Sequence, residues 1–489
     1  MVARVLSACF DGYEVCPVHV EAEILNGFSA FFIVGMAQTD VLESRTRVRA
    51  ALDSLGYRMP VGKIVVNLFP AALPKRGSYW DLPLSIALLK AMAKLPPQAG
   101  ERDFFLGELS LDGRILPLEH SFALLAGIAQ IPDHRVFLPF ENAEEAGRIP
   151  GLHYKLCHSL AQLVEELRGG SPSPSFQGSW KNFTQWISHG PRQDFGDYID
   201  LQGQPLLKRV LMLAAIGRHS LLLIGPPGNG KTMALKRFGG ILPPLSSQEI
   251  MERLRLTSHC LDPSLREAIF SPVRFPHPDI SVTGLIGGGR PIQPGEVSLA
   301  HRGTLILDEL PLFSRKGLEL LRQPWGEHEI SLNRGGRILR FPADFQLVAA
   351  MNPCPCGYEG DPLHNCSCRP YEILRYRKRL SQPFLDRFGL ILEVQKGKGD
   401  DRLSTDIMKK KVREGRRFLE ENKCSFTKEA KAGEDSLCQR FSLSRRFRSK
   451  MEAVARSIGA LDGRDRVEED MIFEAFSYQR ARFQYWPDD

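Results

Sequence analysis

The stretch SLLLIGPPGNGKTMALKRF, residues 220–238, decides the fold. Ser220 to Ile224 is a short apolar run of the kind that forms a buried parallel strand. Gly225, Pro226, Pro227, Gly228, Asn229 and Gly230 then turn the chain, and Lys231 and Thr232 open a helix. A glycine-rich turn in that position lets successive backbone N–H groups converge on phosphate oxygens. The lysine reaches the β and γ phosphates, and the threonine hydroxyl is placed for Mg²⁺. The positive end of the helix faces the same phosphates. A Gly/Pro turn without a ligand is the competing reading of these eight residues alone; the strand before them and the helix after them favour a nucleoside triphosphate site.

Two further apolar runs end in polar residues. TLILDEL, residues 304–310, places Asp308 and Glu309 at the end of a second strand, where Asp308 would hold Mg²⁺ through water and Glu309 would orient the attacking water. FQLVAAMN, residues 345–352, ends a third strand in Asn352, whose amide would help position that water. Taken singly, the acidic pair also reads as a solvated strand end and Asn352 as a turn residue.

These strands and their polar ends resemble the AAA+ ATPases, in which the three positions are the Walker A, Walker B and sensor 1 elements. SQPFLDRFGL, residues 381–390, resembles the segment that supplies an arginine finger in the helix-2-insert branch, and carries that role onto Arg387. An arginine suits a neighbour's γ phosphate because its fork stays charged and binds phosphate oxygens in pairs. An internal salt bridge with Asp386 is the other reading of Arg387. The resemblance narrows to the magnesium-chelatase-like group and its ComM/YifB subfamily through six ordered blocks. They are VGMAQTDVLESRTRVRAAL (34–52), VVNLFPAALPKRGSYWDLPLSIAL (65–88), GELSLDGRILPL (107–118), LIGGGRPIQPGEVSLAHRGTLILDELPLF (285–313), LRQPWGEHEISLNR (321–334) and AAMNPCPCGY (349–358). Two positions depart from that pattern. His277 and Pro278 replace paired histidines, and Leu312 replaces an acidic residue.

A chain of 489 residues is long enough for about two or three domains with their own cores. It has no apolar stretch of membrane-spanning length and no signal-peptide pattern, so a cytoplasmic protein without a membrane partner is expected. The net charge of +7 permits a polyanionic partner without requiring one.

Four of the ten cysteines, Cys354, Cys356, Cys366 and Cys368, form C-x-C-x₉-C-x-C, with Gly357 and Gly360 allowing the chain to fold back. Four thiolates can surround Zn²⁺ tetrahedrally, and an intracellular chain disfavours disulfides. The same spacing resembles the cysteine insertion after sensor 1 in the subfamily; reduced cysteines without metal are the alternative.

Residues 1–168 alternate strand-like and helical runs as one α/β unit, which resembles the Lon protease domain. Lon-type cleavage needs a serine and a lysine. Alignment puts Tyr79 at the serine position, with Ser78 one residue off, and Phe122 at the lysine position, so a structural or partner-binding role is expected. Residues 169–193, rich in Gly, Ser and Pro, read as a linker, 194–395 as the ATPase core with its parallel sheet, and 396–489 as a helical lid. In the lid, family alignment carries sensor 2 onto Arg446, with Arg445 as the near alternative.

EISLNRGGRILRFPADF, residues 329–345, reads as a hairpin turning at Gly335 and Gly336, with Arg334 and Arg337 at its tip. The resemblance places such a hairpin, and the Gly-rich loop carrying Arg290, at the pore of a ring, where cations grip phosphates. An ordinary surface hairpin and loop are the alternative. Arg369, Arg375, Arg377, Lys378 and Arg379 extend the basic surface, make intersubunit ion pairs or form a solvated face.

Together these readings lead to an ATP- and Mg²⁺-dependent homo-oligomer, a hexamer by resemblance, acting on single-stranded or branched DNA. Resemblance to the subfamily implies branch migration in recombination during natural transformation, alongside recombination proteins. A chelatase-type remodelling subunit and a nucleotide-binding scaffold are the rivals; the N-terminal domain and the cysteines weigh against the first, Glu309 and Arg387 against the second.

Overall fold

The computed structural model describes residues 2–188, 193–259, 273–289, 292–334, 337–395, 397, 402–422 and 424–486. The chain divides into two compact units, one of Met1–Pro191 with Ser247–Ile269 and one of Arg192–Ser246 with Phe270–Asp489.

The second unit is built on a five-stranded sheet in the order Val273–Arg274, Thr304–Leu307, Gln346–Met351, Leu221–Ile224, Leu390–Glu393, every neighbour parallel. The strand expected before the phosphate loop lies inside this sheet, and all four of its residues are fully buried. Its side chains alternate between two cores. Leu221 and Leu223 face the helix Pro205–Gly217 and the C-terminal helices, while Leu222 and Ile224 pack with Leu305, Leu307 and Met351. Covering on both faces is why these strands read as unbroken apolar runs.

Pro205 sits in the first turn of its helix, where a missing N–H costs nothing. Five helices close the unit: Thr405–Glu421, Lys428–Arg440, Arg445–Asp462, Glu469–Ser477 and Arg480–Tyr485. Ser404, Thr427 and Ser444 cap three of them by accepting backbone N–H bonds from Ile407, Ala430 and Phe447. Arg209 ties the Pro205–Gly217 helix to this bundle by forked bonds to Asp462 (2.8 and 3.0 Å) and Glu474 (2.7 and 3.1 Å).

The first unit holds an eight-stranded mixed sheet. The long hairpin Ala3–Asp11 and Glu14–Leu25 lies at its middle, flanked on one side by the parallel strands Asp103–Phe105, Arg135–Pro139 and His153–Cys157. Helix Asp81–Ala91 is buried along almost its whole length, and Arg47 holds the buried Asp81 through bonds of 2.7 and 3.1 Å. Of the residues aligned on a protease dyad, Ser78 donates to Glu108, Tyr79 is buried with its hydroxyl 3.1 Å from the Ala8 carbonyl, and Phe122 is 2% exposed.

Two boundaries differ from expectation. Within the stretch read as a linker, Ser175–Gln177 is an edge strand paired with His153–Cys157, and Phe176 stacks on Tyr154 at 5.6 Å; the short polar sequence hides the backbone ladder that captures it. Helix Ser247–His259, read as part of the ATPase core, belongs to the first unit. It packs against the helix Phe122–Ile128, burying Ile250, Leu254 and Leu256, and the Tyr13 hydroxyl donates to the Glu252 carbonyl at 3.2 Å. No helix among the described residues is long and apolar enough to cross a membrane.

Candidate nucleotide-binding site

Gly225 to Thr232 join the end of the buried strand Leu221–Ile224 to the helix Lys231–Arg237. The turn requires its glycines. Gly228 and Gly230 have φ of 81° and 80°, and a Cβ on Gly230 would fall 2.4 Å from Leu201. Gly225 lies against the chain leaving the last strand, where a Cβ would meet the Val394 carbonyl at 2.4 Å. Asn229 fastens the far side by donating to that same carbonyl at 3.0 Å. Lys231 bends back over the loop and donates to the carbonyls of Gly225 (2.6 Å) and Pro226 (2.8 Å) and to Asn352 Oδ1 (3.3 Å). Burial lowers its pKa to about 8, against the opposing pull of Asp308 and Glu309.

The neighbouring parallel strands deliver the polar ends expected of them. Thr232 Oγ1 donates to Asp308 Oδ2 at 2.6 Å. Adjacent oxygens of an octahedral Mg²⁺ shell lie about 2.9 Å apart, so this pair fits that ion, directly or through water. Glu309 takes a left-handed backbone, φ 53° and ψ 46°, and its N–H donates to Asp308 Oδ1 at 2.9 Å. A non-glycine residue held there is a local strain of the kind found at functional sites. Lys231, Thr232, Asp308, Glu309 and Asn352 thus gather at the strand ends, the edge at which open parallel sheets bind ligands.

Arg387 lies at the other edge. With Arg218, Trp325, Arg446 and Lys450 it lines a recess of about 290 Å³ that also includes Ser220 and Gly389, at the starts of two strands. Asp386 does not pair with Arg387; its carboxylate pairs with Arg482 and its carbonyl accepts from Lys450. Arg387 lies against Gly326, where a Cβ would be 3.1 Å from its Nη1, and its buried Nε has no partner among the described residues. Burial and then Arg446 and Arg322 lower its pKa, and burial with Arg446 brings Lys450 down to about 7. Arg446 therefore shares the recess of Arg387. Lys450 was missed from sequence, where RRFRSK reads as a charged helix face.

Cys354, Cys356, Cys366 and Cys368 present four Sγ atoms all within 4.8 Å of one another. Three of the separations are 3.4, 3.5 and 3.6 Å, near the roughly 3.8 Å edge of a tetrahedron with Zn–S bonds of about 2.3 Å. Backbone N–H groups of Cys356 and Glu359 point at Cys368 and Cys354 Sγ, as suits thiolates. The donor set fits zinc. Gly357 in this turn touches the phosphate loop: a Cβ there would stand 2.8 Å from Pro227.

The expected hairpin forms from Glu329–Arg334 and Arg337–Pro342, with Arg334 opposite Arg337. The side chains of both arginines, and Gly335, Gly336 and Arg290, lie outside the described residues.

A family described as "Magnesium chelatase, subunit ChlI" matches residues 197–402, and "Subunit ChlI of Mg-chelatase" matches residues 20–142. The chain is 36% identical to the uncharacterized protein YifB of Escherichia coli, over 96% of this chain and 95% of that protein. It is 34% identical to the competence protein ComM of Haemophilus influenzae, over 98% and 97%. The phosphate loop, the acidic pair and the four cysteines thus sit in a chain similar to these relatives from end to end, which belongs to the ComM/YifB subfamily of magnesium-chelatase-like AAA+ proteins.

Proposed function

We propose that this protein is an ATP-hydrolysing ring motor, six copies to a ring, that moves single-stranded or branched DNA in recombination. The observation that carries it is the division of one site into two halves on opposite edges of a single sheet. The loop half, with Lys231, Thr232, Asp308, Glu309 and Asn352, follows the strand ends, while Arg387, Arg446 and Lys450 gather at the strand starts. Crossing from Ser220 to Gly225 takes about 16 Å of extended chain, so one copy's arginines serve a second copy's nucleotide.

In that arrangement Mg²⁺, held by Thr232 and Asp308, neutralises charge on the β and γ phosphates. Lys231 leaves the Gly225 and Pro226 carbonyls for phosphate oxygens. Glu309 accepts a hydrogen bond from the attacking water and Asn352 fixes its position. Arg387 donates from the adjacent copy to the γ phosphate as charge develops, with Arg446 and Lys450 beside it. A scaffold that only held nucleotide would need neither Glu309 nor Arg387. Similarity along the whole length to a competence protein supports DNA as the substrate, and Arg334 and Arg337 at the hairpin turn are the residues offered to it.

The test is the ATPase rate with and without forked, four-way and single-stranded DNA. DNA should stimulate native protein, Glu309→Gln should abolish turnover, and joint replacement of Arg334 and Arg337 should remove the stimulation. A native rate indifferent to every DNA would refute the substrate assignment.

A further inference from the structure

Helix Pro370–Arg377 leaves the cysteine turn carrying much of the basic cluster seen in the sequence, and its two sides differ. Arg377 serves the fold. Its Nε donates to the Pro353 carbonyl at 3.2 Å, its guanidinium pairs with Glu359 and lies 4.6 Å from the centre of the Tyr485 ring, and its own carbonyl accepts from Trp486 Nε1 at 3.2 Å. These contacts pin the helix between the cysteine turn and the last helix. On the opposite side, Tyr371, Leu374, Arg375 and Lys378 follow the i, i+3, i+4, i+7 spacing of one helical stripe. Tyr371 is 58% and Leu374 53% exposed.

With Arg379, and with Arg315 from the helix Arg315–Leu320, this stripe lines a groove of about 400 Å³ that no carboxylate enters. None of the four cations makes an ion pair or hydrogen bond among the described residues, whereas exposed arginines elsewhere, such as Arg417 and Arg464, have acidic partners. Four unpaired cations repel one another, and a tyrosine and a leucine stand in water beside them. An occupant that is anionic along its length and carries flat apolar faces relieves both. Single-stranded nucleic acid has that combination: phosphates for the cations and a base for the Tyr371 ring. A duplex keeps its base faces stacked, and an acidic peptide has no row of rings.

We infer that this groove is a single-stranded nucleic acid site, additional to the hairpin and resting on the DNA reading above. The stripe from Tyr371 to Lys378 spans about 10 Å, enough for about three phosphates. The test is the binding of labelled oligothymidylate to the full chain, followed by anisotropy across a salt series. Arg375→Ala, Lys378→Ala and Arg379→Ala together should reduce the slope of log K against log salt by about 2, at about 0.7 per phosphate contact. Tyr371→Ala should weaken binding about 5- to 150-fold, the equivalent of one stacked base at about 1–3 kcal/mol, and Tyr371→Phe should bind as native protein does. If the native chain binds and both alanine variants match it in slope and affinity, the groove assignment falls while the motor reading stands. If the native chain binds no oligonucleotide at any salt, both fall. If the variants lose DNA binding only together with the oligomer, as judged by sedimentation, the groove is a subunit contact and the inference is overturned.

Discussion

Replacing Arg387 by alanine probes the two-edged arrangement most directly. Its guanidinium faces the recess at the strand starts, about 16 Å of strand from the loop, so the substitution leaves the chain's own phosphate site intact and disables the service it gives to another copy. An arginine finger contributes about 10³ to 10⁵ in kcat, equivalent to about 4 to 7 kcal/mol of barrier. Arg387→Ala should therefore bind a fluorescent ATP analogue with native affinity and turn over at background. Glu309→Gln should be equally silent for the opposite reason. Mixed in equal amounts and allowed to exchange subunits, the two inactive proteins should recover activity, because some boundaries pair an intact Glu309 from one variant with an intact Arg387 from the other. Random assortment in a closed ring gives about one quarter of boundaries that composition, and a coupled phosphate-release assay should read about one quarter of the native rate. A mixture as silent as its components, with exchange verified by fluorescence transfer, would refute the reasoning, as would an Arg387→Ala protein that hydrolyses ATP at the native rate.

Lys450 gives a pH-dependent stability. Its folded pKa near 7 lies below the ordinary 10.5, so the unfolded chain binds more protons between those values and this residue makes stability rise with pH across that window. Lys450→Met removes that dependence. The Tm of the variant relative to native protein should be most favourable at pH 6 and decline toward pH 10; a difference independent of pH would show that Lys450 is not held as described. The four cysteines should carry about one zinc per chain, measured by elemental analysis. Cys366→Ser with Cys368→Ser should abolish it and lower the Tm, and native protein with four freely titratable thiols and no metal would refute the site.

Much of the nucleotide site was legible because its strands are covered on both faces. LLLI, TLIL and QLVAAM are unbroken apolar strings, and the polar residue that ends each one is where the sheet presents chemistry. The cysteine cluster was legible for a similar reason, since its ligands are close in sequence and need only a local turn. Lys450 was not, because nothing in RRFRSKMEAV distinguishes a lysine turned toward the Asp386 carbonyl from one in water; the difference lies in a contact 64 residues away in sequence. Arg446 was placed on a helix correctly, but helical period says nothing about which edge of the sheet that helix covers. The strand Ser175–Gln177 was hidden by its composition, and helix Ser247–His259 by a deeper ambiguity. Its apolar stripe announces a buried face without naming the body that buries it.

That last helix alters what counts as a separable piece of this protein. The backbone passes from one unit to the other after Pro191, again after Ser246 and again after Ile269, so the two are stitched by three covalent crossings. A fragment beginning at residue 193 would not be a tidy motor stripped of an accessory. It would carry a helix whose Ile250, Leu254 and Leu256 have lost their cover, a sticky surface with a strong tendency to aggregate, and a protease cut in the stretch around residue 191 would leave the halves still sewn together.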